Sequence, residues 1–206
     1  MTFDKLIKKL DKFSFEEIVE KYNVLYGMEN PVECYKNIVY DDDDLREFLE
    51  KLGAQIYYYN HNTKSAIIVT TDDEYYEVPY ECRENRSGDD LPDETILFFD
   101  KDGINDVTES LTELRECLLK QNIWEKEIGK ILSEFDENVT KDDLKCLRIY
   151  DSAYDLATDY IDNTVNELDY YIDAVLDKTM LGEYIVANEN EYILLNTGRI
   201  VKLNKL

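Results

Sequence analysis

Two hundred and six residues, 44% of them hydrophobic, suffice for one substantial core or two small ones and are too apolar for a disordered chain. Forty-seven aspartates and glutamates stand against 23 lysines and arginines, a formal net charge of -24, with one histidine. That balance argues against a direct basic nucleic-acid interface and against contact with an anionic membrane, because both need cationic side chains. It also leaves only His61 for a Ser-His-Asp site, and the zinc-protease and zinc-deaminase motifs are absent.

No stretch approaches the roughly 18 apolar residues of a membrane span. The segment Met1 to Lys5 carries no apolar signal region, so a cytoplasmic protein is expected. Cysteines 34, 82, 117 and 146 are too widely spaced for a zinc site and too few for a disulfide scaffold, so free thiols are expected.

Phe3, Leu6, Ile7 and Leu10 recur at helical spacing. Ser14 to Glu17 has the form of a capping box ahead of Ile18, Val19, Tyr22 and Leu25, which predicts a second short helix ending at Gly27. Residues 41–100 then hold seventeen acids against five bases, a net -12. Asp41, Asp42, Asp43 and Asp44 precede Leu45, Phe48, Leu49 and Leu52, where a helix N-terminus favours negative charge. Ile56 to Tyr59, Ala66 to Val69, Tyr75 to Tyr80 and Thr95 to Phe99 read as strands. Pro79 points to an edge position for the third.

The run from Asp100 to Asp106 has aspartates at calcium-loop spacing, but Ile104 and Asn105 stand where a ligand and a glycine belong, so a turn is expected. Leu111, Leu114 and Leu118, then Ile128, Ile131 and Leu132, predict helix over 108–136, with Trp124 as a packing residue at a junction. Thr140 opens a helix predicted to run without interruption over about 141–178, on the apolar series from Leu144 to Val175. Glu183 to Ala187 and Glu191 to Leu195 read as strands around Asn188-Glu189-Asn190, with Arg199 to Leu203 as a third. The fold class is therefore α+β: several helices including one long acidic helix, a central antiparallel meander, and a C-terminal hairpin or three-stranded meander. A single domain over 1–206 is expected, with a subdivision into 1–100 and 101–206 as the alternative.

The charge pattern carries the functional argument. Residues 149–177 contain eight acids and no base. Asp151, Asp155, Asp159 and Asp162 are spaced to share one helix flank, and Asp169, Asp173 and Asp177 continue in steps of four, with Tyr160, Tyr170 and Tyr171 between them. Like charges at this spacing repel and aspartate is a poor helix former, so the arrangement has a cost unless it meets a partner. These residues, with Asp41 to Asp44, are the candidate partner-binding set. No cofactor is called for, and no GxxxxGK phosphate loop occurs.

Such a surface fits an acidic protein-binding inhibitor, a nucleic-acid mimic that occupies the basic groove of a nuclease or other nucleic-acid-binding protein. In composition and layout it resembles the small acidic inhibitors that phages and mobile elements deploy against restriction or CRISPR nucleases. The alternatives are a toxin-neutralising immunity protein and, third, a carboxylate and Mg²⁺ enzyme, with the non-enzymatic readings preferred. The apolar face of the long helix leaves two alternatives open, packing along the whole domain or a homodimer seam with a second copy.

Overall fold

A computed structural model describes residues 3–10, 12, 24–26, 42–83, 94–99, 103–135, 139–145, 147–164, 172 and 175–203. Its contacts divide the chain into two compact units, Met1–Thr112 and Glu113–Leu206. In chain order the first holds α1 (Phe3–Leu10), β1 (Val24–Tyr26), α2 (Asp42–Leu52), β2 (Ala54–Asn60), β3 (Ser65–Thr70), β4 (Tyr75–Arg83), β5 (Glu94–Phe99) and β6 (Asn105–Asp106). There follow α3 (Thr108–Leu119), α4 (Glu125–Leu132), α5 (Lys141–Lys145), β7 (Arg148–Tyr150), α6 (Ala153–Thr164), α7 (Lys178–Asn188), β8 (Tyr192–Leu194) and β9 (Ile200–Lys202). Among the described residues no helix is long and apolar enough to cross a membrane.

In the first unit the strands lie in the order β1-β5-β4-β3-β2, with β6 paired to β4. β2, β3, β4 and β5 form the antiparallel meander that the sequence predicts, and β1 joins β5 in parallel. Leu45, Phe48, Leu49 and Leu52 recur at i, i+3, i+4 and i+7 and put one face of α2 into the core. They meet Leu6, Ile7 and Leu10 of α1 and the inward residues Ile56, Ile68, Val78, Leu97 and Phe99 of the sheet. Gly53 adopts φ +76°, which lets the chain leave α2 and enter β2 without an intervening loop.

The second unit has a smaller sheet in the order β7-β9-β8, antiparallel throughout. Tyr150, Leu156, Ile185, Tyr192 and Ile200 form a buried cluster that joins this sheet to α6 and α7. Gly182 of α7 lies against the backbone of Ala153: a Cβ at 182 would sit 1.9 Å from the Ala153 carbonyl oxygen. The molecule is thus mixed α+β.

Several expectations need correction. The helix over 141–178 is not continuous. α5 stops at Lys145, and Arg148–Tyr150 is a strand paired with β9. α6 starts afresh where Ser152 and Asp155 cap it reciprocally, the Asp155 N–H donating to Ser152 Oγ (3.2 Å) and the Ser152 hydroxyl to Asp155 Oδ2 (2.7 Å). Asp177, expected on the flank of the long helix, instead caps α7 by accepting the Met180 N–H at 3.1 Å. The strand expected at Glu183 to Ala187 is helical, so the third C-terminal strand is β7 rather than this segment.

Leu25, expected on a helix, lies with Val24 and Tyr26 in β1; the remainder of that expected helix falls outside the described residues. Pro79 does not mark an edge, since β4 is flanked by β3 and β5. Tyr80 donates its N–H to Lys64 O (2.9 Å) on the β3 side, so the Pro79 nitrogen points the other way. There it falls between the residues that pair with β6 (Tyr76, Glu77) and those that pair with β5 (Tyr80 to Arg83), and no ladder bond is lost.

Candidate functional site

The second unit places the acidic flank partly as expected. Asp155 and Asp162 are exposed on the outer side of α6, whose inner side buries Leu156, Ala157 and Ile161. Asp151, just ahead of the helix, is 88% exposed at its side chain. Tyr154, absent from the sequence-derived set, stands exposed between Asp151 and Asp155. Tyr160 turns inward and packs on the core cluster rather than outward. Asp41, Asp169, Asp173, Tyr170 and Tyr171 lie outside the described residues, as do the side chains of Asp42, Asp43 and Asp44, whose backbone opens α2.

The flank is not free of cations once the chain is folded. Asp159 is half-buried, accepts the Tyr150 hydroxyl at 2.8 Å and pairs with Arg148 Nη1 at 2.7 Å, tying α6 to β7. Burial, then the Asp159 carboxylate, holds the Tyr150 phenol above its ordinary pKa. Asp159 and Asp177 therefore do structural work, and the candidate interface contracts to Tyr154 and three exposed carboxylates, Asp151, which also faces Arg199, Asp155, which also accepts the Ser152 hydroxyl, and Asp162. The sequence reading missed this because Arg148 stands one residue outside the base-free window.

A second cluster escaped the sequence reading altogether. Glu127 is 1% exposed, and its carboxylate is satisfied on both oxygens. Oε1 accepts the Thr197 hydroxyl; Oε2 accepts Arg199 Nη1 and the Trp124 backbone N–H, each at 2.8 Å. Arg199 also donates through Nη1 to Asn122 O at 3.2 Å. Its Nε is buried without a hydrogen-bond partner and faces Asp151 Oδ1 at 3.5 Å. The Arg199 guanidinium carbon lies 5.0 Å from the centre of the Trp124 ring, within cation–π range. Trp124, expected as a partly buried packing residue, is 51% exposed and lies against Arg199. The only signal in the sequence was Glu127 three residues after Trp124, at capping-box spacing but with no serine or threonine ahead of it.

These facts put Trp124 and Asp151 on either side of one buried arginine, with Tyr154 at the start of the following helix. The arrangement leaves the Asp151 carboxylate and the Trp124 and Tyr154 rings exposed around a buried ion pair. Elsewhere, His61 lies in the β2–β3 turn as expected and shares a hydrogen bond with the Tyr80 hydroxyl through Nδ1. Among the described residues no group of three Asp, Glu, His or Cys converges as metal ligands do. Compared with known protein families, curated proteins and solved structures, the chain finds no match.

Proposed function

We propose that the chain is a protein-binding inhibitor whose acidic face on α6 occupies a basic, nucleic-acid-binding groove of a nuclease or defence complex. The observation that supports this reading is the outer surface from Asp151 to Asp162. Three exposed carboxylates and an exposed tyrosine stand there, and the segment itself contains no base. Lysines and arginines that ordinarily meet phosphates would meet these carboxylates, giving fast, salt-sensitive association. Tyr154 would supply the apolar contact that a purely ionic pairing lacks.

The test is capture of a partner from a lysate by the tagged protein, with and without duplex DNA or RNA as competitor, followed by the variant Asp155→Lys/Asp162→Lys. A basic nucleic-acid-binding protein that competitor displaces and the variant fails to retain supports the mimic. Retention by the variant, with its circular dichroism unchanged, removes this face as the interface. A second reading, an immunity-type inhibitor, is favoured by the exposed Met180 and Tyr184 of α7, which a phosphate mimic does not require. It predicts a single partner that nucleic acid does not displace.

A further inference from the structure

Arg199 joins the buried ion pair to the acidic face. Its side chain is 10% exposed, and Nη1 is spent on Glu127 Oε2 and Asn122 O. Its Nε is buried and has no hydrogen-bond partner among the described residues. A buried donor is costly to leave unmet, so the acceptor that faces it matters. That acceptor is Asp151 Oδ1 at 3.5 Å, long for a hydrogen bond but close enough for strong attraction. Asp151 is itself 88% exposed at its side chain and lies in the bend between β7 and α6, where no packing fixes its rotamer.

Two cations can therefore claim one carboxylate: Arg199 from inside and, on the reading that the acidic face binds a basic groove, a partner's side chain from outside. We propose that Asp151 is a latch between the two. In the free chain it stands over Arg199 Nε; in the complex it turns outward to the partner's lysine or arginine. The Trp124 ring senses the exchange, because the Arg199 guanidinium carbon lies 5.0 Å from its centre. Lys126, whose Nζ lies 5.2 Å from the same ring, is exposed on α4 and stays where it is. Linkage makes the effect reciprocal: whatever weakens the inner claim on Asp151 strengthens the outer one. The contact is open to solvent on the Asp151 side, so the coupling is about two- to fivefold in affinity. The inference rests on the acidic-face reading and gives the buried pair a part in binding as well as in stability.

Labelled oligolysine stands in for the basic groove in a test on the whole chain. Its binding is followed by anisotropy at about 0.1 M salt, and Trp124, the one tryptophan of the chain, is followed by fluorescence in the same titration. The emission of Trp124 is expected to change saturably as oligolysine binds. Asp151→Asn, at an exposed position, should abolish that change and keep most of the binding, which Asp155 and Asp162 still supply. Glu127→Met/Arg199→Met leaves the net charge as it was and removes the inner claim, so oligolysine should bind about two- to fivefold more tightly. A pair with a structural role alone would not move that affinity. Emission that stays constant at saturating oligolysine, or a change that survives Asp151→Asn, overturns the latch. Constant emission with binding lost in Asp155→Lys/Asp162→Lys upholds the acidic face and rejects only the latch. Binding that Asp155→Lys/Asp162→Lys leaves intact rejects the face and the latch with it.

Discussion

The two compact units spend their polar groups differently. In the first, the buried polar residues among those described are Asn60, Ser65 and Thr70, all neutral, and the core is built from alternating strand residues and two helix faces. In the second, the buried polar residues are Glu127 and Arg199, an ion pair. A neutral hydrogen-bonded side chain at a strand end disturbs little when it is lost. A buried charge is different, because each partner depends on the other to offset its desolvation. The second unit has a three-stranded sheet of short strands and correspondingly less ladder to hold it. Its Glu127 carboxylate joins α4, the turn before it and the 195–199 turn through three separate bonds. The second unit thus ties remote segments together through a buried charge, where the first ties them through strand pairing.

The largest expected effect follows from that difference. Glu127→Ala should cost about 3–5 kcal/mol, because it leaves the buried Arg199 guanidinium with only the exposed Asp151 carboxylate, 3.5 Å from its Nε, as counter-charge. Urea unfolding followed by fluorescence of Trp124, the one tryptophan of the chain, reads the second unit directly. The double variant Glu127→Met/Arg199→Met should lose less than the single one, since no uncompensated charge remains. If the single variant lost under 1 kcal/mol, the contrast between the units would collapse.

The same contrast explains what could be read in advance. The first unit's strands were legible at Ile56 to Tyr59, Ala66 to Val69 and Thr95 to Phe99, because alternation or a short apolar run bounded by turns admits few other structures. In the second unit the signals compete. Tyr184 to Ala187 is an unbroken apolar run, and a helix apolar on both sides gives no 3.6-residue period to set against a strand. Arg148 to Tyr150 stands among residues at helical spacing and becomes a strand only because β9 is there to pair with it, a contact some fifty residues distant. Of the candidate site, the exposed positions of Asp155 and Asp162 follow from their helical spacing, whereas Asp151 lies ahead of α6 in the bend after β7. The structural duties of Asp159 and Asp177, and the cluster at Glu127, depend on contacts from elements remote in sequence or on caps hidden inside an apparent helix.

A smaller effect with an informative sign belongs to Gly182. Helix propensity alone makes Gly182→Ala stabilising by about 1 kcal/mol. The added Cβ, however, would fall 1.9 Å from the Ala153 carbonyl oxygen, a backbone atom that cannot rotate away. Separating α6 from α7 to make room should cost roughly 2 kcal/mol or more, so the net change is expected to be destabilising. Thermal unfolding of the variant decides between them, and a raised melting temperature would show that α6 and α7 tolerate separation.

The smallest effect at neutral pH lies in the tyrosines, and it distinguishes the units again. In the first, burial and then the Glu77 carboxylate push the Tyr58 phenol well above its ordinary value. In the second, burial raises Tyr150 and Tyr192, with the Lys202 hydrogen bond partly opposing it at Tyr192. A folded-state pKa above the unfolded one means that the folded chain holds its proton longer. The associated stability is fully present below the unfolded value of about 10 and is lost as pH rises through the folded one. Urea midpoints should therefore be flat from pH 7 to about 9 and fall beyond about 10. Tyr58→Phe should reduce that fall when hydrogen exchange of the β2–β4 amides is followed and leave the Trp124 transition as it was. An equal change in both signals would mean that the two units unfold as one, whatever the difference in how each is held.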